Sequence, residues 1–320
     1  MAIDILNIQP TTISRDLKGK YLCLYGQPKV GKTSFAAQAP NNLLLCFEHG
    51  VNALAGIRAL DITKWSDFLT VIKQLSSEKA KAMYDTITID TIGIAWECCE
   101  QFVCAQNNVK KIGEIPWGGG YTACKKEFES ALRQITMLGY GLIIIAHSEE
   151  KTIKDEKNED KLVIGPALPK RGAAIINQLV DIIGYIGVEF DSDGISHRYL
   201  YTRSTPYVMA GSRFSKLPAK IPFGYTELTN ALAEAIEEEG RAGATLVDHD
   251  EVKTETKRSF AEVRAEAEEL WGTLVQKNAA NAAKIMSIAE RVFDRPIKLS
   301  EITPTQQDLF ELVLDGMKEL

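Results

Sequence analysis

From Lys20 to Ala146, short apolar runs alternate with stretches in which apolar side chains recur every three or four positions. Tyr21–Tyr25 (YLCLY), Leu43–Phe47 (LLLCF), Thr86–Asp90 (TITID) and Leu142–Ala146 (LIIIA) are bounded by turn residues and have the length of buried strands. Between them, Trp65, Phe68, Ile72 and Leu75 fall at helical spacing, as do Phe128, Leu132 and Ile135. A strand–helix–strand order predicts a mostly parallel sheet with helices on its faces. Ile182–Phe190 and Arg198–Thr202, joined by Asp191-Ser-Asp-Gly194, predict an antiparallel hairpin added to that sheet.

The pattern changes near residue 243. Ala244–Lys257 (ATLVDHDEVKTETK) is charged, free of aromatics and without clear periodicity, so it reads as a linker. Beyond it Phe260, Val263, Ala267, Leu270 and Leu274 mark an amphipathic helix, and Ile285, Ile288 and Val292 a second. A third opens at Thr303-Pro-Thr-Gln306, with Thr at the N-cap, Pro at N1 and Gln at N3. The expected organisation is an α/β core over 1–242, a linker over 243–257 and a helical module over 258–320.

Composition changes this picture little. The chain has 320 residues, 45% hydrophobic and 25% charged, which suits a folded globular protein. No apolar run approaches the ~18 residues of a membrane span, and MAIDILNIQP lacks a basic segment leading into an apolar one. The six irregularly spaced cysteines then read as reduced thiols of a cytoplasmic protein. Cys98, Cys99, Cys104 and Cys124 contain no C-x-x-C pair and are expected in the core rather than on a metal.

The chemistry is carried first by Gly26-Gln27-Pro28-Lys29-Val30-Gly31-Lys32-Thr33, which matches G-x-x-x-x-G-K-[ST] in full and continues into Ser34. It directly follows a predicted strand and precedes a helix, the setting in which backbone N–H groups can cradle phosphate. Lys32 is expected to reach the β- and γ-phosphates of ATP, and the Thr33 hydroxyl to ligate Mg²⁺. Asp90, at the tip of a buried strand, is the carboxylate expected beside that ion.

Three further features resemble the RecA-type branch of P-loop ATPases, in particular short phage-encoded RecA-like ATPases linked to single-strand annealing and recombination. The strand Leu43–Phe47 followed by Glu48-His49 and a short helix, within Leu43–Leu54 (LLLCFEHGVNAL), resembles the RecA strand whose Glu positions the attacking water, which makes Glu48 the candidate general base. Leu142-Ile-Ile-Ile-Ala-His147 resembles the strand whose terminal polar residue senses the γ-phosphate; RecA has Gln there, and His147 resembles the phage version. The third feature is the hairpin. The resemblance covers about Lys20 to Phe223 and implies a RecA-like P-loop NTPase fold, Mg²⁺-dependent ATP hydrolysis, single-stranded DNA as partner, and a homo-oligomer with nucleotide at subunit interfaces.

Two segments fall where RecA places its DNA-contacting loops: Asn107–Tyr121 (NNVKKIGEIPWGGGY) and Ser148–Gly172. The first offers Lys110, Lys111, Trp117 and Tyr121; the aromatics suit base stacking, although Trp117 packed beneath the loop fits the sequence equally. The second holds six bases and six acids, with Lys170 and Arg171 at its end the better phosphate contacts. Arg198–Lys220 carries five basic residues and no acid, interleaved with four aromatics. That mixture suits single-stranded nucleic acid, or a subunit interface at which an Arg enters the neighbour's nucleotide site. Ring helicases of the RecA-like kind carry Lys-x-Arg at a comparable place; Gly211-Ser-Arg213 keeps only the Arg, so Arg213 is the first candidate for such a finger and Arg203 the second.

A net charge of −6 would by itself argue against a nucleic-acid partner. It is unevenly spread: residues 227–320 hold 11 bases and 20 acids (−9), residues 1–226 hold 26 bases and 23 acids (+3). An acidic tail beside a DNA-binding core is expected to compete for the same surface, and its module to recruit a recombination or single-strand-binding partner. Two other readings remain open on the residues alone. One is a nucleotide-switched assembly protein acting through its tail; the other is a ring-forming helicase or translocase.

Overall fold

The computed structural model describes residues 12–14, 17–48, 55–154, 159–241, 245–247 and 259–320. The short helix expected after His49 and most of the linker lie outside these residues. The chain divides into two compact units, one spanning Thr11–Thr254 and the other holding Glu255–Leu320.

In chain order, the first unit opens with β1 (Thr12–Ser14), β2 (Tyr21–Gly26) and the short α1 (Lys32–Ala36). It continues through β3 (Asn42–Cys46), β4 (Arg58–Asp61), α2 (Trp65–Leu75), α3 (Glu78–Met83) and β5 (Thr86–Asp90). The helices α4 (Ile92–Gln106) and α5 (Gly119–Met137) lead to β6 (Gly141–Lys154), β7 (Asp160–Pro166) and α6 (Lys170–Leu179). The unit ends with β8 (Ile182–Phe190), β9 (Ser196–Tyr201), β10 (Gly211–Ser212), β11 (Lys220–Pro222), α7 (Tyr225–Arg241) and β12 (Thr245–Val247). Residues 245–247, within the expected linker, thus form a strand, paired in parallel with β1.

The main sheet runs β11-β9-β8-β2-β6-β5-β3-β4, and the six strands from β8 to β4 are all parallel. This is the mixed α/β, mostly parallel, helix-flanked sheet of a P-loop NTPase. Its strands are apolar on both sides because both faces are covered. In β2, Cys23 and Tyr25 enter one core with α2, α4 and α5, while Leu22 and Leu24 enter the other with Phe35 and α7. The expected β8–β9 hairpin is present, with Tyr185 opposite Tyr201 and Phe190 opposite Ser196.

β6 is much longer than its apolar run. It passes through His147 and forms a two-stranded arm with β7, in register from Ser148–Pro166 to Lys154–Asp160. The order of strands matters for function. β2 lies between β6 and β8, so the carboxyl-terminal ends of β5 and β3 and the His147 position of β6 stand on one side of the phosphate loop, and β8–β9 on the other.

The second unit packs α8 (Phe260–Lys277), α9 (Asn281–Phe293) and α10 (Gln307–Lys318) around Val263, Ile285, Phe310 and Val313. Ser259 and Glu262 close a capping box on α8. The expected box of Thr303 and Gln306 forms on a 3₁₀ turn, Pro304–Gln306, that leads into α10. No helix among the described residues is long and apolar enough to cross a membrane.

Candidate nucleotide-binding site

The loop from Gly26 to Lys32 joins β2 to α1 at the carboxyl edge of the sheet. Two glycines are required by space. A Cβ on Gly26 would fall 2.9 Å from the Ile186 carbonyl oxygen. Gly31 caps α1 with φ +102°, a left-handed backbone, and a Cβ there would fall 2.7 Å from Arg198 Nη1. Gln27, Pro28, Lys29 and Ser34 are exposed, Val30 is buried, and Lys29 also has a positive φ of 64°. Lys32 is only 6% exposed, and its Nζ folds back to donate to the carbonyls of Gly26 (3.0 Å) and Gln27 (2.8 Å).

Register brings the acids to the loop. Gly26 pairs with His147, Ile145 with Asp90, and Asp90 with Cys46, so three strand ends converge beside α1. The Thr33 hydroxyl donates to Asp90 Oδ2 at 2.7 Å. Glu48, two residues beyond β3, meets His147 Nε2 at 2.9 and 3.1 Å through its two carboxylate oxygens. The candidate base and the candidate sensor therefore touch. His147 Nδ1 and Ser148 Oγ are buried with no hydrogen-bond partner among the described residues.

Burial dominates the electrostatics. It pushes the Asp90 carboxyl above the ordinary carboxylate range, Glu48 pushing the same way while the Thr33 bond, Lys32 and His147 oppose. Burial likewise pulls the Lys32 ammonium down, against the pull of Asp90 and Glu48. Two charged groups here are held at a desolvation cost. Hydroxyl and carboxylate oxygens are the donors a hard cation takes, so Thr33 and Asp90 fit Mg²⁺.

The expected nucleic-acid residues separate by position. Trp117 is completely exposed (102%) at the tip of the α4–α5 connection, so it does not pack beneath its loop. That connection is braced from inside: Ile112 is buried, and Gly120 packs so closely that a Cβ would fall 2.5 Å from the Ile112 carbonyl. Lys110 and Lys111 are exposed on it, and Lys170 at the start of α6. The Arg171 guanidinium lies 4.8 Å over the ring of Tyr121, joining the two segments that the sequence places fifty residues apart. Arg213 pairs with Asp181 (2.8 Å) and donates to the Gln178 carbonyl (2.6 Å), at the end of β8 away from the phosphate loop. Arg203 is tied to the carbonyls of Thr202, Phe214 and Ser215. Both candidate fingers are engaged within their own chain.

Sequence reasoning did not bring Arg198 to the phosphate loop. Its Nη1 donates to the Val30 carbonyl at 3.1 Å. Only the acid-free composition of residues 198–220 singled it out; its place depends on how β9 registers on β8 and β8 on β2.

A family model described as an AAA domain matches residues 18–214. The chain is also similar to the SPbeta prophage-derived uncharacterized protein YorG of Bacillus subtilis (strain 168), 30% identical over 335 residues that cover 100% of this chain and 99% of the relative. The matched region contains β2, the loop, Asp90, Glu48 and His147. The chain belongs to the AAA-domain family and is a phage-type, RecA-like P-loop ATPase.

Proposed function

We propose that this ATPase is Mg²⁺-dependent and acts on single-stranded DNA, in phage recombination or strand annealing. The observation that carries the DNA reading is the pairing of Arg171 with Tyr121, 4.8 Å apart, beside a wholly exposed Trp117 and exposed Lys110, Lys111 and Lys170. Cations beside exposed aromatic faces suit a strand whose bases are unstacked and whose phosphates are charged. α6 follows the β6–β7 arm, and α4 follows Asp90 after a single residue, so one segment springs from the strand that carries His147 and the other from the strand that ends in Asp90.

The residues divide the chemistry. Lys32 exchanges its two loop carbonyls for the β- and γ-phosphates of ATP. Thr33 and Asp90 would hold Mg²⁺, which when bound supplies charge neutralisation on the phosphate oxygens. Glu48 orients the attacking water once released from His147, and His147, with Nε2 freed, donates toward the γ-phosphate. On this reading the nucleotide lies between subunits of a homo-oligomer, and Arg213 reaches the neighbour's site by leaving Asp181.

The test is phosphate release measured with and without single-stranded oligonucleotides of increasing length at low salt. Stimulation that Lys32→Ala abolishes is expected; no stimulation at any length would overturn the DNA reading. A second reading, in which the nucleotide switches recruitment of a protein partner, is favoured by the separate core of Glu255–Leu320. It predicts partner binding that is lost in Lys32→Ala, with no DNA binding at all.

A further inference from the structure

On the β8–β9 side of the phosphate loop stand a cation and an aromatic ring that no step above uses. Arg198 Nη1 donates to the Val30 carbonyl, and the guanidinium has no carboxylate partner among the described residues. The Phe223 ring reaches the same glycine: a Cβ on Gly31 would lie 2.7 Å from Arg198 Nη1 and 3.4 Å from Phe223 Cε1. The two side chains face each other, guanidinium to ring centroid 5.8 Å, and Phe223 N–H donates to the Arg198 carbonyl at 2.9 Å. Behind, Phe223 stacks on Phe35 at 5.5 Å with an interplanar angle of 16°. The pair is therefore braced by α1 and by the pairing of β9 with β11, and its outer side is open: Arg198 is exposed and Phe223 half-buried.

Sheet order sets the direction of a bound nucleotide. Asp90 ends β5, Glu48 lies two residues beyond β3, and His147 lies within β6 where that strand pairs with Gly26, all on one side of β2. The γ-phosphate must point to that side, because the cation donors and the candidate base are there. The α-phosphate and nucleoside then leave the loop toward β8–β9, where Arg198 and Phe223 stand.

We propose that Arg198 and Phe223 form a clamp for the nucleoside end of ATP, the guanidinium and the ring packing against the purine. This rests on the reading of Gly26–Ser34 as the triphosphate cradle. A guanidinium is planar, always charged and stacks on aromatic faces, as Arg198 already does toward Phe223. Its single bond to the loop, made by an exposed donor, is readily exchanged for a ligand. A purine therefore binds better than a pyrimidine, since it offers the larger face to the pair.

Calorimetric titration of the full-length chain with ATP and, separately, with inorganic tripolyphosphate in Mg²⁺ tests the clamp. Arg198→Ala is expected to weaken ATP about tenfold, from the loss of one stacking contact, and tripolyphosphate by less than about twofold. Phe223→Leu is expected to weaken ATP in the same sense, and Lys32→Ala to weaken both ligands. Arg198→Gln keeps a donor for Val30 and serves if the alanine variant does not fold; the same loss of ATP alone is expected. Unchanged ATP affinity in Arg198→Ala or Arg198→Gln overturns the proposal, as does an equal loss for both ligands, which would make Arg198 a phosphate contact or a loop brace. If the wild type binds neither ligand, the cradle reading itself falls, and the clamp with it.

Discussion

Replacing Gly31 by Ala perturbs the site through two separable costs. A left-handed backbone costs an L-residue about 1–2 kcal/mol, and Gly31 has φ +102°. The new Cβ would also fall 2.7 Å from Arg198 Nη1, so the guanidinium must leave the Val30 carbonyl. Loss of that bond, part-exposed but carried by a cation, costs about 1 kcal/mol. Phe223 Cε1, at 3.4 Å, is near enough to ordinary contact to add little. The sum is about 2–3 kcal/mol, and a unit of this size loses roughly 2–4 °C in Tm for each, so Gly31→Ala should melt about 4–12 °C lower. In an Arg198→Ala background the steric part is absent and only the backbone part remains. Thermal and urea denaturation of the four chains of this cycle, followed by circular dichroism, should give a coupling near 1 kcal/mol. Equal cost of Gly31→Ala in both backgrounds, or no cost at all, would refute the geometry around the loop.

Four other outcomes follow from the same structure. Lys32→Ala should abolish measurable ATP binding while leaving the fold intact, as judged by titration and circular dichroism. Asp90→Asn should raise the Tm of the nucleotide-free protein near neutral pH: the folded-state pKa of Asp90 is raised, so its contribution to stability is present below the ordinary carboxylate pKa and lost as pH rises through the folded value. The gain should therefore shrink on acidification, and a gain that grows instead would contradict the assignment of burial as the dominant cause. Phe310→Ala removes a ring that is 1% exposed in the core of the second unit, a loss of about 3–5 kcal/mol; calorimetry should show that unit's transition lowered or lost and the ATPase unit's unchanged. Single-stranded DNA should quench the fluorescence of Trp117, and Trp117→Phe should remove most of that quench with a Tm within about 1 °C of wild type, because the side chain buries nothing.

The parts of the fold that could be read from the chain are those whose pattern is local. The phosphate loop is eight consecutive residues whose chemistry dictates their identity, and it lies where it was expected. The strands Tyr21–Gly26 and Asn42–Cys46 are legible because burial on both faces leaves an apolar run that turn residues bracket. Where burial is absent the signal vanishes. All four residues of β4, Arg58–Asp61, are exposed at the edge of the sheet, and no periodicity marks them. β6 continues for seven residues beyond His147 as an arm whose polar sequence, Ser148-Glu-Glu-Lys, carries no strand pattern.

The site divides the same way. Glu48 and His147 could each be named from a strand end, but their direct contact is a product of strand order, with β6 and β5 between β2 and β3. The stacking of Tyr121 under Arg171 and the approach of Arg198 to Gly31 are long-range in the same sense. Arg213 shows the converse. Its sequence neighbourhood suggested a side chain available to another subunit, whereas Asp181, thirty-two residues earlier, holds it by an ion pair that only the tertiary fold creates.

The central claim is that one site, assembled from the Gly26–Ser34 loop, Asp90, Glu48 and His147, hydrolyses ATP. Phosphate release by wild type and Glu48→Gln at saturating ATP and Mg²⁺, with ATP affinity measured on the same samples, tests it most directly. General-base assistance contributes about 10²–10⁴-fold, so turnover by Glu48→Gln should fall at least about a hundredfold while its ATP affinity stays near that of wild type. Turnover by Glu48→Gln equal to wild type would contradict the claim.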